Sequence, residues 1–383
     1  MNRELQIFFH AVRIAALAVT LLLATSCRST SPDALAPGQY DFSTVTAKIQ
    51  GWMDNGYYPG VAVLMAKDNQ IVYDRCFGNY APDTEVYIAS AGKWLAVATI
   101  MSLVDKGMLS LDDHPSKLLP EFKNDPKDKA TLRQMLSHTS GYPPYQPKDK
   151  PVDKYQTLTE SVEHLRPLSP DYQPGERFDY GGLAMQVAGR MAEVASGKDW
   201  ETLFQERIAR PLQMTNTHFT PVDQGGGHSP MLGGGARSTS HDYANFLSMI
   251  FNDGKFNGQR VLSGKAIHEM QADQVRGALV KTNEFVEHVR GAKHKALYGL
   301  GEWREELDTQ GNAVLISSPS WAGTYPWIDK TTGVYGVVIA HVGGPGVGQD
   351  KFSGFYSSPQ IAILVRRILK PETDSNGHAS LSH

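Results

Sequence analysis

A serine and a lysine three residues apart, Ser90 and Lys93, stand at the head of an apolar stretch. A serine hydroxyl becomes a nucleophile only when a neighbour takes its proton. A lysine can take it only when neutral, and burial or the positive end of a helix favours the neutral form. Trp94 and Leu95 follow directly, so Lys93 could feel both effects. Leu95, Val97, Ala98, Ile100, Met101, Leu103 and Val104 form a helical stripe that Gly107 stops. The spacing predicts Ser90 as the helix N-cap, with Lys93 one turn further on the same face. Alone, the pair reads equally as a capping serine and a surface lysine, since about one S-x-x-K is expected by chance in such a chain.

The elements that must position this pair come from both ends of the sequence. Phe42 to Met53 reads as an amphipathic helix. Val61 to Ala66 and the stretch from Ile71 read as a hairpin turning at Lys67 to Gln70, which favours an antiparallel sheet. From Leu109 to Gly234 strand patterns vanish. Helices are predicted at Leu132–His138, Leu183–Ala195 and Trp200–Ile208, separated by proline-rich loops. Gly233-Gly234-Gly235 ends this region, and Ser238-Thr239-Ser240 caps a helix from His241 to Phe251. Strands return at Leu297–Trp303, Ala313–Ser317 and Tyr335–His341, with a last helix at Ile361–Leu369. The expected fold class is α/β (α+β): an antiparallel sheet flanked by helices, with an inserted all-helical subdomain over about 109–234. The folded body is expected to span 41–370, with a polar tail at 371–383.

The 383 residues are 41% hydrophobic with a formal charge of -3, which suits one large globular body and gives no reason to expect nucleic acid. Arg3 and Arg13 precede a short apolar run, Ile14 to Leu23, of signal-peptide length. It ends at Ala24-Thr25-Ser26-Cys27, which resembles a bacterial lipoprotein box with Cys27 as the lipidated residue. The expectation is a signal peptide over 1–26, a tether over 27–40, and a periplasmic or outer-surface lipoprotein held at the membrane through Cys27. Ordinary cleavage to a secreted soluble protein is the alternative. Cys76 is then the single remaining thiol, so no internal disulfide is expected.

Several stretches together resemble the serine β-lactamase and penicillin-binding-protein superfamily, nearest to class C β-lactamases and family VIII carboxylesterases. They are Ile88-Ala89-Ser90-Ala91-Gly92-Lys93, Leu136-Ser137-His138-Thr139-Ser140-Gly141, Pro211 to Thr217, Gly233 to Thr239 leading into Asp242-Tyr243-Ala244, and Tyr298-Gly299-Leu300-Gly301. The resemblance covers about Gly60 to Leu369. It implies Ser90 as nucleophile and Lys93 as base. In Phe178-Asp179-Tyr180-Gly181-Gly182, Tyr180 matches the family's second motif and carries over as partner base, its phenol lowered by the lysine cation. Gly182 stands where the family often has an asparagine that binds an amide side chain of the substrate. That departure favours esters over β-lactams. Trp321-Ala322-Gly323 resembles the Trp-Gly-Gly that replaces the third motif in family VIII esterases. Trp321 and Gly323 are then substrate-binding, and the Thr324 N–H joins that of Ser90 as the oxyanion hole.

No G-x-S-x-G elbow and no H-E-x-x-H occur, and the histidines do not cluster at metal-ligand spacing. No cofactor or metal is expected. The expected function is a serine hydrolase that forms an acyl-enzyme on small carboxylic esters. The alternatives are a β-lactamase or D-amino-acid peptidase acting on cell-wall-like amides, and a non-catalytic envelope binding protein on the same fold.

Overall fold

The computed structural model describes residues 40–146, 157–219, 230–280, 284–343 and 352–370. The signal peptide, Cys27, the tether up to Gln39 and the tail from Pro371 lie outside the described residues. A six-stranded antiparallel sheet organises the rest. Its strands are β1 (Gly60–Lys67), β2 (Gln70–Gly78), β3 (Trp303–Leu307), β4 (Ala313–Ser317), β5 (Gly323–Asp329) and β6 (Val334–His341). The order across the sheet is β2-β1-β6-β5-β4-β3, so two strands from the start of the body join four from its end. The join is the β1–β6 ladder, with Val61 opposite Ala340 and Lys67 opposite Val334. β1, β5 and β6 are buried almost throughout, because both faces of the sheet are covered.

On one face, α1 (Ser43–Asp54) and α6 (Gln360–Leu369) bury Val45, Ile49, Trp52, Ile361, Ala362 and Val365 against Val61, Val63, Leu315, Tyr325 and Val338. On the other face lie α2 (Gly92–Asp105), α3 (Leu183–Ser196) and α4 (Ser240–Phe251), sharing a larger core built round Trp94, Met101, Met185 and Phe246. Local signals set the ends of these helices. Gly107 adopts φ 69° just past α2, Gly197 caps α3 in the left-handed conformation, and the Thr239 side chain accepts from Asp242 N at the start of α4.

Two expectations are corrected. Ser90 is not an N-cap: it sits in a 3-10 turn, Ala89–Ala91, and α2 starts at Gly92 with no side-chain cap. Leu297–Trp303 is not a strand. It is a loop bent by Gly301 at φ 79°, and β3 begins only at Trp303. Between Leu109 and Gly234, the described residues are helices and turns apart from Arg177–Phe178, which pairs with Leu279–Val280, and an isolated bridge from His218 to Arg237. No helix among the described residues is long and apolar enough to cross a membrane.

Candidate active site

The turn that carries Ser90 is held from three sides. Val86 and Tyr87 pair with Ser238 and Arg237, and Ile88 N donates to Ala236 O at 3.0 Å. Tyr243 Oη, from α4, donates to Ala91 O at 2.7 Å. Ser318 Oγ, just past β4, donates to Ser90 O at 3.4 Å. Ala89 is thereby fixed at φ 46°, a strained conformation for a residue with a side chain, immediately before the serine.

Lys93, on the first turn of α2, is buried at 2% exposure. Its Nζ lies 3.0 Å from Ser90 Oγ and donates to Gly233 O at 2.5 Å. Burial pulls its ionisation down from 10.5 to about 7. Gly233 can pass Gly182 because it has no side chain: a Cβ there would lie 2.9 Å from Gly182 Cα, though at an ordinary 3.7 Å from Lys93 Nζ.

Tyr180 enters from the chain leading into α3. Asp179 N donates to His138 O and Gly182 N to Pro144 O, each at 2.8 Å, which fixes the segment on both sides. The Tyr180 phenol faces the Ser90 side chain, and Lys93 Nζ lies 4.7 Å from its ring centroid. His138, Trp303 and Tyr298 surround that ring at centroid distances of 4.6, 5.3 and 5.9 Å. This dry setting pushes the phenol well above its usual ionisation, so the lowering expected from the lysine cation does not occur. His138 is likewise held neutral, by burial and by the nearby Lys93 charge.

The structure therefore brings Ser90, Lys93 and Tyr180 together. It spreads the third-motif residues around a hairpin. Trp321 is in the turn between β4 and β5, 56% exposed, with its ring 5.5 Å from that of His341. Gly323 starts β5 at φ 106°, where a Cβ would meet the Tyr58 ring and hydroxyl. Thr324 is fully buried, its hydroxyl donating to Ala340 O at 2.9 Å. The Ser90 turn is reached by Ser318, just past the end of β4, and β5 also packs against that turn. Lys330-Thr331-Thr332-Gly333 is a turn between β5 and β6.

Sequence reasoning did not assign site roles to Gly233, Ser318, Tyr298 or Trp303. The glycine run and the Tyr-Gly-Leu-Gly stretch were visible signals; nothing local marks Ser318. Among the described residues no cluster of three or more His, Cys, Asp or Glu could hold a metal ion.

Comparisons with known proteins bear on the fold and the family. A solved structure described as a candidate beta-lactamase from Bacteroides dorei DSM 17855 is 50% identical, with a TM-score of 0.82 over 86% of this chain and 99% of its own. A solved family VIII carboxylesterase aligns with a TM-score of 0.67 over 88% of this chain and 99% of its own; at 18% identity the likeness is one of fold. An Escherichia coli (strain K12) protein named as a candidate D-alanyl-D-alanine carboxypeptidase is 31% identical over 198 residues, 44% of this chain and 45% of its own. Protein flp of Staphylococcus aureus (strain N315) is 25% identical over 188 residues, 46% of this chain and 38% of its own. The chain thus covers less than half the length of these two relatives. The family model described as Beta-lactamase matches residues 45–352, nearly the whole described body, and the chain belongs to that family of the serine hydrolase superfamily.

Proposed function

We propose that the protein hydrolyses small carboxylic esters through an acyl-enzyme on Ser90. The observation that carries the reading is the 3.0 Å contact of Ser90 Oγ with a buried lysine that meets a hydroxyl and a carbonyl. In its neutral form Lys93 keeps an N–H on Gly233 O and turns its lone pair to the Ser90 hydroxyl. Ser90 Oγ attacks the ester carbonyl and its proton passes to Lys93. Tyr180, kept as a phenol, gives its proton to the departing alkoxide and regains one from Lys93. Water then attacks the acyl carbon and gives a proton to the same pair, which passes one to Ser90 Oγ as the carboxylic acid leaves. Backbone N–H groups of Ser90 and of Thr324 would hold the oxyanion. Gly182, at the head of α3, offers no amide to a substrate side chain, which supports esters over amides. The chain is further proposed to be exported and lipid-anchored at Cys27.

The names of the 50% identical structure and of the E. coli relative favour a second reading, in which cell-wall-like amides or β-lactams are the substrate. The test is turnover of p-nitrophenyl butyrate, nitrocefin and a D-Ala-D-Ala peptide by the wild type and by Ser90→Ala. Ester turnover should dominate and fall by about 10³-fold or more in the variant. Dominant amide or β-lactam turnover would replace the ester reading. No Ser90-dependent turnover and no labelling by a fluorophosphonate would leave a binding protein.

A further inference from the structure

We infer that Ser317 is a positioning residue, tied to a buried ion pair and setting the end of β4 against the Ser90 turn. The inference rests on the reading of Ser90 as nucleophile. Ser317 is the last residue of β4, fully buried, paired with Trp303 of β3 on one side and Trp327 of β5 on the other. Beyond it β4 has lost β3. Ser318 N still donates to Pro326 O at 3.2 Å, and Pro319 has no N–H to give. The edge facing Ser90 is therefore supported from one side only, and Ser317 is its last two-sided anchor.

That anchor reaches through the sheet to the face away from α2. Ser317 Oγ donates to Glu305 Oε1, a carboxylate of β3 with no exposure. Arg290, at the end of α5 (Glu284–Arg290), donates from Nε to Glu305 Oε2 at 2.5 Å and is 4% exposed on its side chain. Tyr325 Oη, on β5, donates to Glu305 Oε1 at 3.0 Å and accepts from Arg290 at 2.9 Å. A buried charge tolerates little displacement of its donors, because each is its substitute for water. Three strands and a helix are thus pinned to one carboxylate, and the pin nearest the chemistry is Ser317. The next residue, Ser318, touches the Ser90 carbonyl.

The test compares Ser317→Ala, Ser317→Thr and Tyr325→Phe. The last removes a donor from the same carboxylate and leaves the Ser317 hydroxyl in place. Per active site titrated with a fluorophosphonate, Ser317→Ala should lower kcat for p-nitrophenyl butyrate about tenfold or more, as misplacement does, with KM within about twofold. Ser317→Thr should restore most of it, and Tyr325→Phe should match the thermal destabilisation of Ser317→Ala while keeping kcat. Wild-type kcat in Ser317→Ala, or an equal loss in Tyr325→Phe, would overturn the inference. Amide hydrogen exchange over 313–324 reads the strand end without any substrate. Faster exchange in Ser317→Ala than in Tyr325→Phe is expected, and equal rates would overturn the inference. An inactive wild type would instead count against the reading of Ser90.

Discussion

Lys93 is the residue on which the chemistry turns, and its proton is measurable. Its partners in the site are the Ser90 hydroxyl and the Gly233 carbonyl, and burial alone lowers its ionisation to about 7. If neutral Lys93 is the base, kcat should rise with pH through about 7 and level off above it. A flat profile from pH 6 to 9 would remove Lys93 from that role. The same shift sets a stability effect. The folded-state value lies below the unfolded 10.5, so below about 7 both states carry the charge and the fold bears the full cost of a buried ammonium. That cost fades as pH rises from about 7 to 10.5. Lys93→Met should therefore raise Tm most below pH 7, with the gain shrinking towards pH 10. The Ser90–Lys93 spacing was readable from the sequence because three residues on a tight turn and a helix share a face. Gly233 and Ser318 were not readable as partners. They reach the pair from 140 and 228 residues away, and no local pattern encodes such an approach.

At the scale of elements, caps and glycines were the legible part, and continuous burial was the illegible part. α3, α4 and α6 fall within a residue or two of their predicted bounds, since Gly197, Thr239 and the amphipathic pattern mark them. β5 gave no period-2 signal, because all seven of its residues are buried and Pro326 interrupts it. The start of α3 offers a test of substrate choice. Gly182 is its N-cap, at φ -126° and ψ -23° with no side-chain hydrogen bond. A Cβ there would meet only Gly233 Cα, at an ordinary 3.7 Å. Gly182→Asn should fold with a Tm within about 2 °C of wild type, since asparagine caps as well as glycine or better. One added substrate hydrogen bond should raise acylation by penicillin about three- to tenfold. Unchanged acylation in a folded, ester-active variant would show that the missing amide does not decide the substrate.

Across the whole molecule, the sheet divides two cores, and the smaller depends on the chain's last described helix. α6 buries Ile361, Ala362 and Val365, and Arg366 pairs with Glu306 at 2.6 Å and Asp329 at 2.7 Å. Ending the chain after Ser358 removes burial worth about 1.5–3 kcal/mol for each larger aliphatic side chain. Stabilities of about 5–15 kcal/mol leave little room for that loss. Soluble yield should collapse, or Tm should fall by more than about 10 °C; a truncated chain melting like the full one would show that α6 is dispensable. The ladder that joins β1 to β6 also has a consequence in time. The segment with Ser90 and Lys93 leaves the ribosome long before Gly233, and longer still before Ser318. Until those late residues arrive, Lys93 has neither its carbonyl nor its dry pocket and stays an ordinary charged lysine. A chain still being made thus carries its nucleophile switched off, and its dependence on such distant contacts slows folding.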